Sequence, residues 1–195
     1  MRRLISTIIG TAILAALFVG VWWDLNKTPL PSITSKIVSS LPLPSPTPYP
    51  LPQTLSIPKL NVNAPIEHVG ETAEGRMDVP KNDWNVAWYQ HGPKPGERGN
   101  SVIAGHLDTA TGSAIFYRLS AMEPGDEFTV TDALGGSKTF VVDRKKTFPD
   151  DGFPIEEVFG SSEDTMLNLI TCEGSFNSST KLYSDRLVVF GRLKK

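Results

Sequence analysis

The sequence predicts an all-β domain closed on itself, with only short helices, over residues 55–195. Three observations predict it. Short runs rich in β-branched and aromatic residues recur at 55–60, 86–89, 101–104, 127–131, 139–143, 166–171 and 187–193. Turn signals separate them, notably Gly92-Pro93-Lys94-Pro95-Gly96, Pro124-Gly125-Asp126 and Leu134-Gly135-Gly136. The two helical-looking pieces, 114–119 and 155–159 after Pro154, are too short to organise a helical domain. About 140 residues are enough to bury a core of their own.

Two different segments precede that domain. Arg2 and Arg3 lead into an uncharged run over 4–23 that ends Val21-Trp22-Trp23-Asp24. At about 1.5 Å per residue the run spans the ~30 Å hydrocarbon core, with tryptophans at the interface. The arginines before it, with none just after, place the N-terminus inside and the rest outside. A cleaved signal peptide would show an apolar region of about 7–15 residues and a small-residue cleavage site. This sequence offers no such site, so 1–23 is expected to be an uncleaved membrane anchor. Residues 24–54 form an expected linker: nine of the sixteen prolines fall between Pro29 and Pro58, and 41–52 reads LPLPSPTPYPLP. Such a stretch samples extended polyproline II and holds a domain off the membrane as a semi-rigid stalk. The formal net charge of −2, with both signs scattered, shows no nucleic-acid footprint.

The chemistry starts from the one cysteine, Cys172, which ends the apolar run Met166-Leu167-Asn168-Leu169-Ile170-Thr171 and is followed by Glu173-Gly174. A cysteine is most often a small buried hydrophobe. Outside a membrane, however, a solitary cysteine has no disulfide partner in its own chain, which points to a reactive thiol or intermolecular pairing. Of the three histidines, His68 ends a strand-like segment, His91 sits in a Gly/Pro turn, and His106 ends the apolar run Ser101-Val102-Ile103-Ala104-Gly105. Arg186 opens an apolar strand, on the same face as Val188 and Phe190 by period-two alternation. A thiolate nucleophile needs a base or a cation nearby, and attack on a peptide carbonyl creates an oxyanion that a fixed guanidinium can stabilise. No His-x-His or HExxH spacing exists, and one cysteine excludes the usual structural zinc sets. No metal and no cofactor are expected.

Leu169-Ile170-Thr171-Cys172 resembles the Leu-x-Thr-Cys signature of sortases. Ala104-Gly105-His106 resembles their histidine motif, and Asp185-Arg186-Leu187-Val188-Val189 their arginine strand. The anchor and stalk also follow the family's arrangement. Val86-Ala87-Trp88-Tyr89, the 92–96 turn and Gly105-His106-Leu107-Asp108 are most similar to class F. The resemblance implies a closed eight-stranded β-barrel of the sortase type, acting as a cysteine transpeptidase on LPXTG-like sorting signals. It implies cleavage after the signal's threonine, a thioester on Cys172, and transfer to an amine of a cell-wall precursor or a pilin. By the same carry-over His106 is the general acid/base, Arg186 positions substrate and stabilises the oxyanion, and Thr171 lies beside the substrate. The 148–166 segment corresponds to a variable loop walling the pocket. No acidic cluster matches the calcium site of some class A members, and no DP[W/F]G-type lid motif precedes the domain.

Three other readings compete. A membrane-tethered cysteine protease would use the same thiol for hydrolysis alone. A cysteine L,D-transpeptidase would carry Ser-x-Gly-Cys, whereas 168–172 reads NLITC. A stalked adhesion domain would keep Cys172 inert in its core. Separately, Leu51-Pro52-Gln53-Thr54 matches four positions of an LPXTG signal and could fold back into the chain's own groove, although Leu55 replaces the glycine.

Overall fold

The computed structural model describes residues 49–195, so the expected anchor 1–23 and most of the linker 24–54 lie outside the described residues. Eight strands close a barrel: β1 (Pro52–Ile57), β2 (Val62–Val69), β3 (Val86–Tyr89), β4 (Gly99–Ala104), β7 (Glu127–Asp132), β8 (Ser137–Pro149), β9 (Thr165–Asn177) and β10 (Leu182–Leu193). Their order is β1-β2-β3-β4-β9-β10-β8-β7, with β7 paired back onto β1. A small hairpin, β5 (Asp108–Thr109) and β6 (Gly112–Ser113), stands outside the barrel sheet. Pairing is antiparallel except for β2 with β3 and β4 with β9. The parallel β4–β9 pair runs both strand ends to the same rim, which is where His106 and Cys172 fall.

The interior is filled by alternate residues of each strand. Ile103, Leu167, Leu169, Leu187 and Val189 meet there, with the Phe128 and Phe140 rings stacked at 5.7 Å between centroids. The opposite face of β4, β9 and β10 is also covered. Val102, Met166, Ile170, Val188 and Phe190 join Phe148 under Val158 of the single described α-helix, α1 (Ile155–Phe159). Burial on both faces explains why 166–171 reads as an unbroken run instead of alternating. Two side-chain amides tether the covering helix: Asn168 Nδ2 donates to Val158 O at 2.8 Å and Asn100 Nδ2 to Gly160 O at 3.0 Å.

Several expectations need correction. The linker does not run to 54, because Pro52–Thr54 already belong to β1, where Thr54 pairs with Pro65 of β2 and Pro52 with Asp132 of β7. Leu51 O also accepts the Ala133 N–H at 3.0 Å. Residues 51–54 are therefore committed to the barrel wall, and the reading of this stretch as a pseudosubstrate falls. The 114–119 piece is no α-helix. Ile115 N–H donates to Asp83 O and Phe116 N–H to His106 O, and with these tertiary bonds the chain passes through tight turns into a 3-10 turn at Leu119–Ala121. Strand β2 is the strand-like segment ending near His68; its Pro65 points outward while Val62, Ala64 and Ile66 fill the core.

Gly191 marks where β10 bulges against β8. A Cβ there would lie 2.3 Å from Phe128 Cζ and 3.1 Å from Leu167 O. Gly191→Ala is expected to cost about 1–3 kcal/mol through overpacking, read as a lower urea midpoint. An unchanged midpoint would show that the Phe128–Phe140 stack yields freely.

Candidate active site

Cys172 and Arg186 are direct cross-strand partners on β9 and β10. The parallel register pairs Ala104 of β4 with Ile170 of β9. Two residues further along each strand, His106 stands level with Cys172. By alternation all three residues belong to the outer face that carries Val102, Ile170 and Val188, at the edge of the cover formed by the β8–β9 connection. The sequence-derived trio is thus gathered at one rim from three adjacent strands.

Short local bonds hold the histidine. Gly105 N–H donates to Ile170 O at 3.0 Å, and Thr171 Oγ1 donates back to Gly105 O at 2.9 Å. Thr171 is only 3 % exposed and its hydroxyl is spent on this bond, so its side chain ties β9 to the histidine segment and does not face the pocket as expected. Gly105 has no room for a Cβ, which would meet the Phe116 ring at 2.6 Å. His106 Nε2 lies 2.9 Å from Pro80 O. A carbonyl only accepts, so Nε2 carries a hydrogen and Nδ1 is the nitrogen left to exchange a proton.

Arg186 is fixed with equal care. Its Nη1 donates to Asp185 O at 2.8 Å and Tyr183 O at 3.2 Å, and its Nη2 pairs with Asp150 Oδ1 at 2.8 Å. The carboxylate partner is therefore Asp150 in the β8–β9 connection; Asp185 contributes only its backbone carbonyl. Tyr183 OH donates to Asp108 Oδ2 at 2.5 Å, a contact that joins β10 to the hairpin following His106. That bond raises the Tyr183 phenol to about 12. Burial pushes the Cys172 thiol above its ordinary value; Arg186 pulls it down, while Asp108 and Asp150 push it further up.

Asp108, Asp150, Tyr183 and the carbonyl of Pro80 were not singled out from sequence. Asp108 stands inside the quoted histidine motif and could have been flagged. Nothing local distinguishes Asp150 from Asp151. The other two histidines are elsewhere: His68 Nε2 donates to Pro52 O at 2.8 Å with its ring edge-on to Trp88, and His91 lies beside Glu71 and Tyr89.

The closed barrel thus brings a thiol, an imidazole and a fixed guanidinium to one rim, at or just past the ends of neighbouring strands. The sortase-domain family model matches residues 55–194, and the chain belongs to the sortase family, a family of cysteine transpeptidases. Solved structures agree on the fold. The chain is 22% identical to sortase C1 from Streptococcus agalactiae, with a TM-score of 0.56 over 73% of this chain and 67% of that one. Sortase C-1 from Actinomyces oris gives 22%, 0.58, and 73% of each chain. The lid mutant of sortase A from Corynebacterium diphtheriae gives 21%, 0.59, and 75% and 71%. A comparison with curated proteins gives no match.

Proposed function

We propose that this chain is a membrane-anchored, extracellular sortase of class F type that cleaves an LPXTG-like signal after threonine and transfers the product to an amine. The observation that carries the reading is the register that sets Cys172 opposite Arg186, with His106 two residues past the end of the adjoining β4, whose Ala104 pairs with Ile170. The Cys172 thiol gives its proton to His106 Nδ1 and the thiolate attacks the threonine carbonyl carbon, the carbonyl electron pair moving onto oxygen, where Arg186 meets the developing charge. Collapse breaks the C–N bond, and protonated His106 gives its Nδ1 proton to the departing amine. The thioester then accepts an amine, from a cell-wall precursor or a pilin. His106 takes the proton of that amine, the tetrahedral intermediate expels the Cys172 thiolate as the amide forms, and His106 can return the proton to the sulfur. The anchor rests on the uncharged 4–23 run and the stalk on the proline-rich stretch. The class F reading rests on Val86-Ala87-Trp88-Tyr89 and Gly105-His106-Leu107-Asp108.

The test is incubation of the full chain in detergent with an LPXTG peptide and an added amine. An amide-linked product that grows with amine concentration is expected. Hydrolysis alone, insensitive to amine, would make the chain a tethered cysteine protease. A Cys172 thiol inert to small alkylating reagents would fit the adhesion-domain reading instead.

A further inference from the structure

Arg186 spends its donors unevenly. Its Nη1 donates to two backbone carbonyls and its Nη2 forms an ion pair with Asp150 at 2.8 Å, while among the described residues the Nε–H has no hydrogen-bond partner. The guanidinium is thus locked in plane while an edge stays open. Only one of the three locking groups, Asp150, is a side chain, and its own place is set by the fold. Pro149, immediately before it, closes the β8–β10 ladder opposite Asp185, and Asp150 begins a 3-10 turn there. Arg76, from the segment between β2 and β3, stands 3.9 Å from its other oxygen. Arg186 is 17 % exposed at its side chain and Asp150 28 %, so the pair is far less screened than the solvent-exposed ion pairs elsewhere on the barrel.

We propose that Asp150 is a positioning residue for the transpeptidation assigned above: it holds the Arg186 guanidinium with one edge free for the substrate oxygen and sets the charge balance around Cys172. A planar fork held by two hydrogen bonds and an ion pair loses little freedom when substrate takes its remaining donors. The same carboxylate keeps the arginine from acting as an unbalanced cation that would ionise the thiol at rest.

The charged and titratable groups facing Cys172 are Arg186 and Tyr183 from β10, Asp108 from β5, Asp150 after β8 and His106 after β4. Glu173, next to it on β9, is engaged by Thr147 Oγ1 at 2.6 Å. Removing one negative charge from this set favours the thiolate.

The experiment uses three full-chain variants with two readouts, the pH profile of Cys172 alkylation by iodoacetamide and the kcat–KM split on an LPXTG peptide with amine. Asp150→Asn keeps an acceptor but removes the charge, so its alkylation profile is expected to move to lower pH. Asp150→Ala also frees the guanidinium and is expected to lower kcat about tenfold with KM nearly unchanged. Asp150→Glu is expected to recover most of both properties. Wild-type profiles and rates in Asn and Ala variants that melt with the wild type would overturn the proposal. An alkylation shift with kcat unchanged in the Ala variant would overturn the positioning role. If either variant melts early, the folded Glu variant decides: one that gains neither readout over it overturns the proposal. Should the wild type cleave no LPXTG peptide, the functional reading fails, while the alkylation profile still decides whether Asp150 sets the charge at Cys172.

Discussion

Cys172→Ala is expected to abolish both cleavage and amine transfer, lowering kcat by about four orders of magnitude or more, to background. In the proposed mechanism no other group can form the acyl intermediate, since the chain has one cysteine. The neighbours that place it do not depend on its sulfur: β9 is held by its ladders to β4 and β10, and Thr171 and Asn168 keep their bonds to Gly105 and Val158. Alanine at a half-buried strand position should therefore leave the barrel intact, with a melting point close to wild type. Mass spectrometry of the wild type reacted without amine should trap a thioester that the variant lacks. Retained transfer by Cys172→Ala would remove this site from the chemistry altogether.

Arg186→Lys is expected to lower kcat by about 10²–10³, about 3–4 kcal/mol of transition-state stabilisation, while preserving the charge. The reason is geometric. Lysine offers one point of donation and cannot bind Asp185 O, Tyr183 O and Asp150 together while leaving a second donor edge for substrate. Its ammonium would settle on Asp150, withdrawn from the oxyanion. Single-turnover acylation rates measure the loss directly, because acylation is the step in which the oxyanion first forms. A lysine variant with the wild-type acylation rate would show that charge alone suffices and that the planar fork is idle.

The fold was legible where a strand's pattern matches its environment. Strands β3, β4, β7 and β10 were visible because β-branched and aromatic residues cluster between turn signals. The long arms of β8 and β9 beyond 143 and 171 were not, since Arg144-Lys145-Lys146 carry no strand signature and are extended only because β10 pairs with them, and Glu173-Gly174 reads as a break although β9 continues past a bulge there to pair Phe176 and Asn177 with β10. The 114–119 piece shows the opposite failure: its residues suit a helix, yet bonds to Asp83 and His106 give the backbone better partners. Residues 51–54 teach the same lesson at the barrel edge, where composition resembles the stalk and pairing with β2 and β7 decides otherwise.

By itself the sequence predicted the closed all-β class of the domain and held the expected trio of His106, Cys172 and Arg186, since a nucleophile, a proton carrier and a fixed cation each need a particular side chain at a strand end. It also held the expected anchor and stalk, whose signals are compositional. Only the tertiary structure decided which nitrogen of His106 is free, that Thr171 faces inward, and that Asp150 rather than Asp185 holds the arginine. Those are matters of distance between residues far apart in the chain. Residue type limits which bonds a group can make, and the register of β4, β9 and β10 selects which of them are made.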